Sequence, residues 1–143
     1  MATRYDRIEQ RLLAILGKQD ADDLFRGAAN LKRYLKYLKE NLAFPCLLTG
    51  MEDFPWEERY VFGYGDKREY EELKKTNPSY TDTFSLHGSE NLALEAGRIY
   101  TTVERVSDKK WFVLPLEDLE AKGRKSPNRQ LVEDYASWFV NYQ

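Results

Sequence analysis

Hydrophobic positions change period along this chain, and each change marks an element. Over residues 4–17, Ile8, Leu12, Ile15 and Leu16 fall on one helical stripe between charged residues, and Gly17 supplies a stop. Leu31, Leu35, Leu38 and Leu42 repeat at spacings of four, three and four, so a second amphipathic helix is predicted from Leu31 to about Asn41, capped by Asn30. The period then falls to two. Phe44-Pro45 forces an extended backbone, and Cys46–Thr49 reads as the first strand, followed by strands near 58–63 and 80–86. Between these, Asp66 and Glu69 form a capping box for a helix from Lys67 to Lys75, closed by Pro78. Residues 90–97 are mixed and receive no element.

The clearest two-residue period runs through Ile99, Thr101 and Val103 and resumes at Trp111-Phe112-Val113-Leu114, across the polar turn Ser107–Lys110. This predicts a hairpin of strands near 98–106 and 111–115. Pro115 cannot donate to a ladder, so Leu116-Glu117-Asp118-Leu119 should turn back over the sheet end. Ser126 as cap and Pro127 at the first helical position open a last helix to about residue 142, whose stripe is Leu131, Tyr135, Trp138, Phe139 and Tyr142.

Together these elements predict one α+β domain over 1–143: a small, strongly bent, antiparallel, barrel-like sheet flanked by N-terminal helices and a C-terminal helix. Its core should hold Leu35, Leu38, Leu42, Phe44, Val61, Ile99, Val103, Phe112, Leu114, Leu119, Leu131, Tyr135 and Trp138. Composition agrees, with 42% hydrophobic and 32% charged residues, and ten Tyr, seven Phe and three Trp favour a packed core over a linker. A net charge of −2 gives no basic field for nucleic acid, and the Lys32, Arg33, Lys36 and Lys39 face of the second helix reads as a solvated face. No apolar run approaches the roughly 20 residues that span a bilayer, and no secretory h-region precedes Gln19, so a cytoplasmic location is expected.

Catalytic patterns are poorly served. Cys46 and His87 are the single residues of their types and lack a nucleophile context, no glycine loop cradles phosphate, and Cys-His zinc sites are ruled out by number. The expectation is a protein that is not an enzyme. Hard oxygen donors are the chemistry in supply: Glu52, Asp53, Glu57 and Glu58 place four carboxylates within seven residues, the donor type calcium takes in sixes to eights. No EF-hand loop is present, so on composition alone these residues are equally a calcium site or surface charge. The same segment offers a different reading, an aromatic groove of Phe54, Trp56 and Tyr60 that would bind a peptide or nucleic acid.

Four segments in order, Tyr37–Pro45, Val61–Gly63, Phe112–Glu120 and Glu133–Trp138, resemble the bacterial calcium-binding protein family typified by CcbP. The resemblance spans residues 31–142 and implies a small Sm-like or SH3-like barrel, a calcium ion as ligand, and Glu117, Asp118 and Glu120 in its V-P-L-x-x-L-E motif. It also implies a calcium-buffering or sensing role without catalysis. The chain departs from the family in an added helical arm at 1–26 and an insertion near 64–97.

Overall fold

The computed structural model describes residues 3–143. Its elements are α1 (Arg4–Leu16), α2 (Ala28–Asn41), β1 (Cys46–Gly50), α3 (Glu58–Val61), α4 (Lys67–Leu73), β2 (Phe84–Leu86), β3 (Leu92–Glu95), β4 (Arg98–Arg105), β5 (Trp111–Pro115), β6 (Leu119–Ala121) and α5 (Asn128–Asn141). Single 3₁₀ turns occupy Ala21–Asp23, Pro55–Glu57, Ser89–Asn91 and Leu116–Asp118.

The fold is α+β with a six-stranded antiparallel sheet in the order β3-β4-β2-β1-β6, β5 pairing with the other edge of β4. β5 and β6 thus lie at opposite ends of a sheet about 19 Å wide, yet only the Leu116–Asp118 turn separates them, a span of about 15 Å at full stretch. The sheet must curl to let the chain cross. It stays open, because no ladder joins β5 to β6 among the described residues: the expected bent antiparallel sheet is present, without closure into a barrel.

Alternation sets the inner face. On β4, Ile99, Thr101, Val103 and Arg105 are buried, and Leu48, Phe84, Leu86, Leu92, Leu114 and Leu119 meet them from the other strands. Helices α2 and α5 close one side through an aromatic stack in which Tyr34 lies 4.9 Å from Trp138 and meets Tyr135 edge-on at 5.4 Å. The Trp138 indole donates to the Leu24 carbonyl at 2.6 Å, and the Tyr135 hydroxyl accepts from the Ile99 amide at 3.0 Å. Helix α1 belongs to the same core: Ile8, Leu12, Ile15 and Leu16 are buried, and Arg11 reaches the buried Asp134 of α5 at 2.7 Å.

Several expectations need correction. The strand near 58–63 is the one-turn helix α3: Pro55 opens a 3₁₀ turn, Glu57 is drawn inward, and the Phe62 amide donates to the Glu58 carbonyl. Val61 is consequently 40% exposed rather than core, and Leu35, Phe44, Phe112 and Leu131 are half-buried at its margin. The strand near 80–86 is ordered as β only from Phe84, because Asp82 turns back to accept from the Ser79 amide at 2.8 Å. Helix α2 begins after Gly27, and Asn30 instead ties its start to the Asp23 and Phe25 carbonyls. Helix α5 is counted from Asn128, with Pro127 already at helical dihedrals and the Ser126 hydroxyl accepting from the Asn128 amide at 3.2 Å as the expected cap, and Glu69 accepts from the Tyr60 hydroxyl while Asp66 alone caps α4. Strands β3 and β6 lie outside the predicted strands.

Candidate metal centre

An antiparallel ladder brings the acidic segments together. β1 and β6 pair through Gly50 and Leu119, so the chain leaving β1 at Met51–Asp53 runs beside the turn entering β6 at Leu116–Asp118. The Met51 amide donates to the Asp118 carbonyl at 3.0 Å and fixes that approach. Gly50 is required there: a Cβ would sit 2.5 Å from the Tyr80 Cα, in a strand end whose amide already donates to the Tyr80 carbonyl.

A cavity of about 230 Å³ lies in the angle, lined by Met51, Glu52, Asp53, Phe54, Pro55, Glu58, Glu117 and Asp118. Five of the seven predicted ligands therefore meet at one site. Glu52 and Glu58 are exposed and Asp53 and Asp118 half-buried, whereas the Glu117 side chain is only 7% exposed. Among the described residues neither Glu117 carboxylate oxygen makes a hydrogen bond, although Oε2 lies 3.3 Å from Arg98 Nε outside bonding geometry. Burial pushes the Glu117 carboxyl above the ordinary carboxylate range, with its own amide, near but too poorly aligned to count as a hydrogen bond, and the charge on Arg98 pulling the other way. Asp118 is raised too, by burial and by the charge on Glu52, against the pull of Arg98.

Glu120 faces an adjoining cavity of about 520 Å³ that shares Met51, Glu52, Glu117 and Asp118 and adds Arg98, Glu133 and Phe139. Glu57 is elsewhere. Fully buried, it accepts four hydrogen bonds: from the Tyr70 hydroxyl at 2.8 Å, the Ser79 hydroxyl at 2.6 Å, the Tyr80 amide at 2.9 Å and the Phe54 amide at 3.2 Å. Its lone pairs are taken by the protein.

The donor chemistry suits a hard divalent cation, and Glu117 is a buried carboxylate that lacks the partners burial demands. Among the described residues, no group of three or more His, Cys, Asp or Glu side chains is already drawn tightly enough to hold an ion. Convergence would have to come from Glu52, Asp53 and Glu58, whose partly or fully exposed side chains have room to turn.

The proposed aromatic groove is consumed by packing. Phe54 is buried, the Trp56 indole donates to the Pro78 carbonyl at 2.6 Å, and Tyr60 stacks on Tyr70 at 4.9 Å with 3° between planes. The residue that sequence reasoning missed is Arg98. Continuing the β4–β5 register beyond Tyr100 and Pro115 by two residues sets Arg98 opposite Glu117, a signal present in the hairpin itself.

No described protein family and no curated protein matches the chain. Among solved structures, the crystal structure of Anabaena CcbP superposes with a TM-score of 0.58 at 16% identity, covering 96% of this chain and 93% of that one. A calcium binding protein in its calcium-binding form superposes with a TM-score of 0.57 at 17% identity, covering 97% of this chain and 95% of that one. At such identities the likeness is one of fold, and it holds across nearly the whole chain: this is a CcbP-like α+β fold.

Proposed function

We propose that this chain binds calcium in the cavity between the 51–58 and 116–118 segments, with Glu117 and Asp118 as the fixed ligands and Glu52, Asp53 and Glu58 as the mobile ones. The observation that carries this reading is Glu117, a carboxylate whose side chain is 93% buried, without a hydrogen bond, facing a cavity ringed by four more carboxylates. A cation would supply the missing partner, with water and main-chain carbonyls completing six to eight oxygens. That one fold neighbour is a calcium binding protein in its calcium-binding form supports the choice of ion.

On this reading the protein is a cytoplasmic calcium buffer or sensor without catalysis. No helix among the described residues is long and apolar enough to cross a membrane, and burial pushes the Cys46 thiol to about 11, far from a working nucleophile. Isothermal titration with calcium chloride, with magnesium as control, tests it. A saturable calcium-specific heat is expected at or below millimolar concentration, lost in Glu117→Gln combined with Asp118→Asn. No such heat, or the same heat in the double variant, refutes the assignment.

A further inference from the structure

The calcium reading leaves one side chain unexplained. Arg98 brings a positive charge to the most deeply buried carboxylate of the site, its Nε 3.3 Å from Glu117 Oε2. It sits at the first position of β4, directly after the tight turn at Ala96 and Gly97, both at positive φ, so its backbone is held while its side chain, 46% exposed, remains free to move. The guanidinium also lies 5.3 Å from the centroid of the Phe139 ring, which Arg26 grips at 3.8 Å. Its contact with the Phe139 ring gives Arg98 a place to remain when it withdraws from Glu117.

We infer that Arg98 is a tethered cation that holds the Glu117 side of the site until a divalent ion displaces it, and that it thereby sets the site's selectivity for divalent over monovalent cations. This rests on the calcium reading and adds the rule by which the site chooses its ion. Charge decides the exchange. Exchanging Arg98 for sodium or potassium replaces one unit charge with another and gains nothing, while the incoming ion must also lose water. Exchanging it for a divalent ion gains a full unit against the surrounding carboxylates, in a partly buried cavity where each unit of charge counts for more than in bulk water. The absence of hydrogen-bonding geometry between Arg98 and Glu117 fits a counter-ion that is close enough to neutralise and too poorly aligned to be retained.

Arg98→Gln and Arg98→Met remove the charge while keeping a long side chain, and Arg98→Lys keeps the charge. Calcium binding to each is measured by isothermal titration at fixed ionic strength, with choline chloride replaced stepwise by sodium chloride. In choline, the Gln and Met variants are expected to bind calcium about tenfold more tightly than the parent, and the Lys variant to match the parent. As sodium replaces choline, the parent's affinity should hold steady while that of the neutral variants falls. Calcium affinity in both neutral variants at or below that of the parent overturns the inference, as does sodium competing equally with parent and variants. A parent that takes no calcium beside neutral variants that do would also support it, since the tethered charge would then mask the site. Absence of binding in all four proteins removes the inference and the calcium reading together, whereas binding in all four that is indifferent to residue 98 removes the inference alone.

Discussion

Glu57 and Glu117 are both carboxylates drawn out of water, and the fold treats them in opposite ways. Glu57 is fully buried and receives four donors from four separate residues, two of them backbone amides. Glu117 is nearly as buried and receives none. A carboxylate can be buried cheaply only when its lone pairs are filled, so the first is finished as a piece of architecture and the second is left short of a partner. Both come from acidic stretches that look alike in sequence. What separates them is the neighbourhood each is folded into: Glu57 is enclosed by α4 and the Ser79–Tyr80 segment, and Glu117 by a cavity and one misaligned arginine.

The sharpest way to break this comparison is at Glu57. Glu57→Ala leaves the Phe54 and Tyr80 amides and the Tyr70 hydroxyl without an acceptor, the Ser79 hydroxyl keeping Thr81 Oγ1 at 3.0 Å, and should destabilise the fold by about 3 kcal/mol in urea unfolding. Glu57→Gln should cost about 1–2 kcal/mol, because its carbonyl can still serve the Phe54 and Tyr80 amides while its NH₂ meets hydroxyls able to accept. The Gln variant should keep the full calcium-dependent rise in melting temperature. A cost below 1 kcal/mol for the Ala variant would mean that these donors find water, and that Glu57 holds nothing together.

How far sequence alone reaches follows from where each interaction is made. The β4–β5 hairpin was legible because Ile99, Thr101 and Val103 alternate within one strand, and α5 because its stripe is local. Tyr60-Val61-Phe62 carries strand propensity and nonetheless forms the end and cap of a helical turn, since the pull on Glu57 comes from residues 13 to 23 positions away that no local window contains. β3 is four residues long with Ala93 outward, too short for a period to register. At the site, the acidic residues were visible by composition, whereas the approach of Glu52 and Glu117 to one cavity follows from the long-range β1–β6 register that only the folded chain supplies. Arg98 lay within reach, two residues past the hairpin's last pair.

At Glu117 the expected effect is smaller and of the opposite sign. Glu117→Gln should stabilise the calcium-free protein by roughly 1 kcal/mol at neutral pH, because it removes a buried charge that has no hydrogen bond. The folded carboxyl is held above the ordinary range, so its ionisation costs stability. That cost is absent at pH values below the ordinary carboxylate range and complete above the raised value, and the advantage of the Gln variant should appear over the same interval in urea midpoints measured against pH. The parent alone should then gain stability from calcium, by about 2.7 kcal/mol at a hundred times the dissociation constant. A Gln variant less stable than the parent without calcium would show that Glu117 has a partner in solution, and would erase its contrast with Glu57.

The smallest effect tests whether the same logic holds for a buried cation. Arg105 is the positive counterpart of Glu57: its side chain is 4% exposed and donates to the Lys74, Lys75 and Asn77 carbonyls, to Asp82 at 3.0 Å and to Asp108 at 2.8 Å, binding the end of α4 to the sheet. Hydrogen bonds from Arg105 lower the Asp108 carboxyl from 3.8 to about 2. A carboxyl depressed on folding contributes stability above its unfolded pKa and loses it as pH falls through the folded one, so this contribution should be full above about pH 4 and fade toward pH 2. Melting curves of the parent and Asp108→Asn should therefore lie apart at pH 5, with the variant lower, and close together near pH 2. Asp108 is solvated and Asp82 would still serve Arg105, so the separation at pH 5 should be less than that produced by Glu117→Gln. Curves that run parallel down to pH 2 would mean that Arg105 is held by the Lys74, Lys75 and Asn77 carbonyls alone, and that its carboxylate partners, unlike the donors around Glu57, are dispensable.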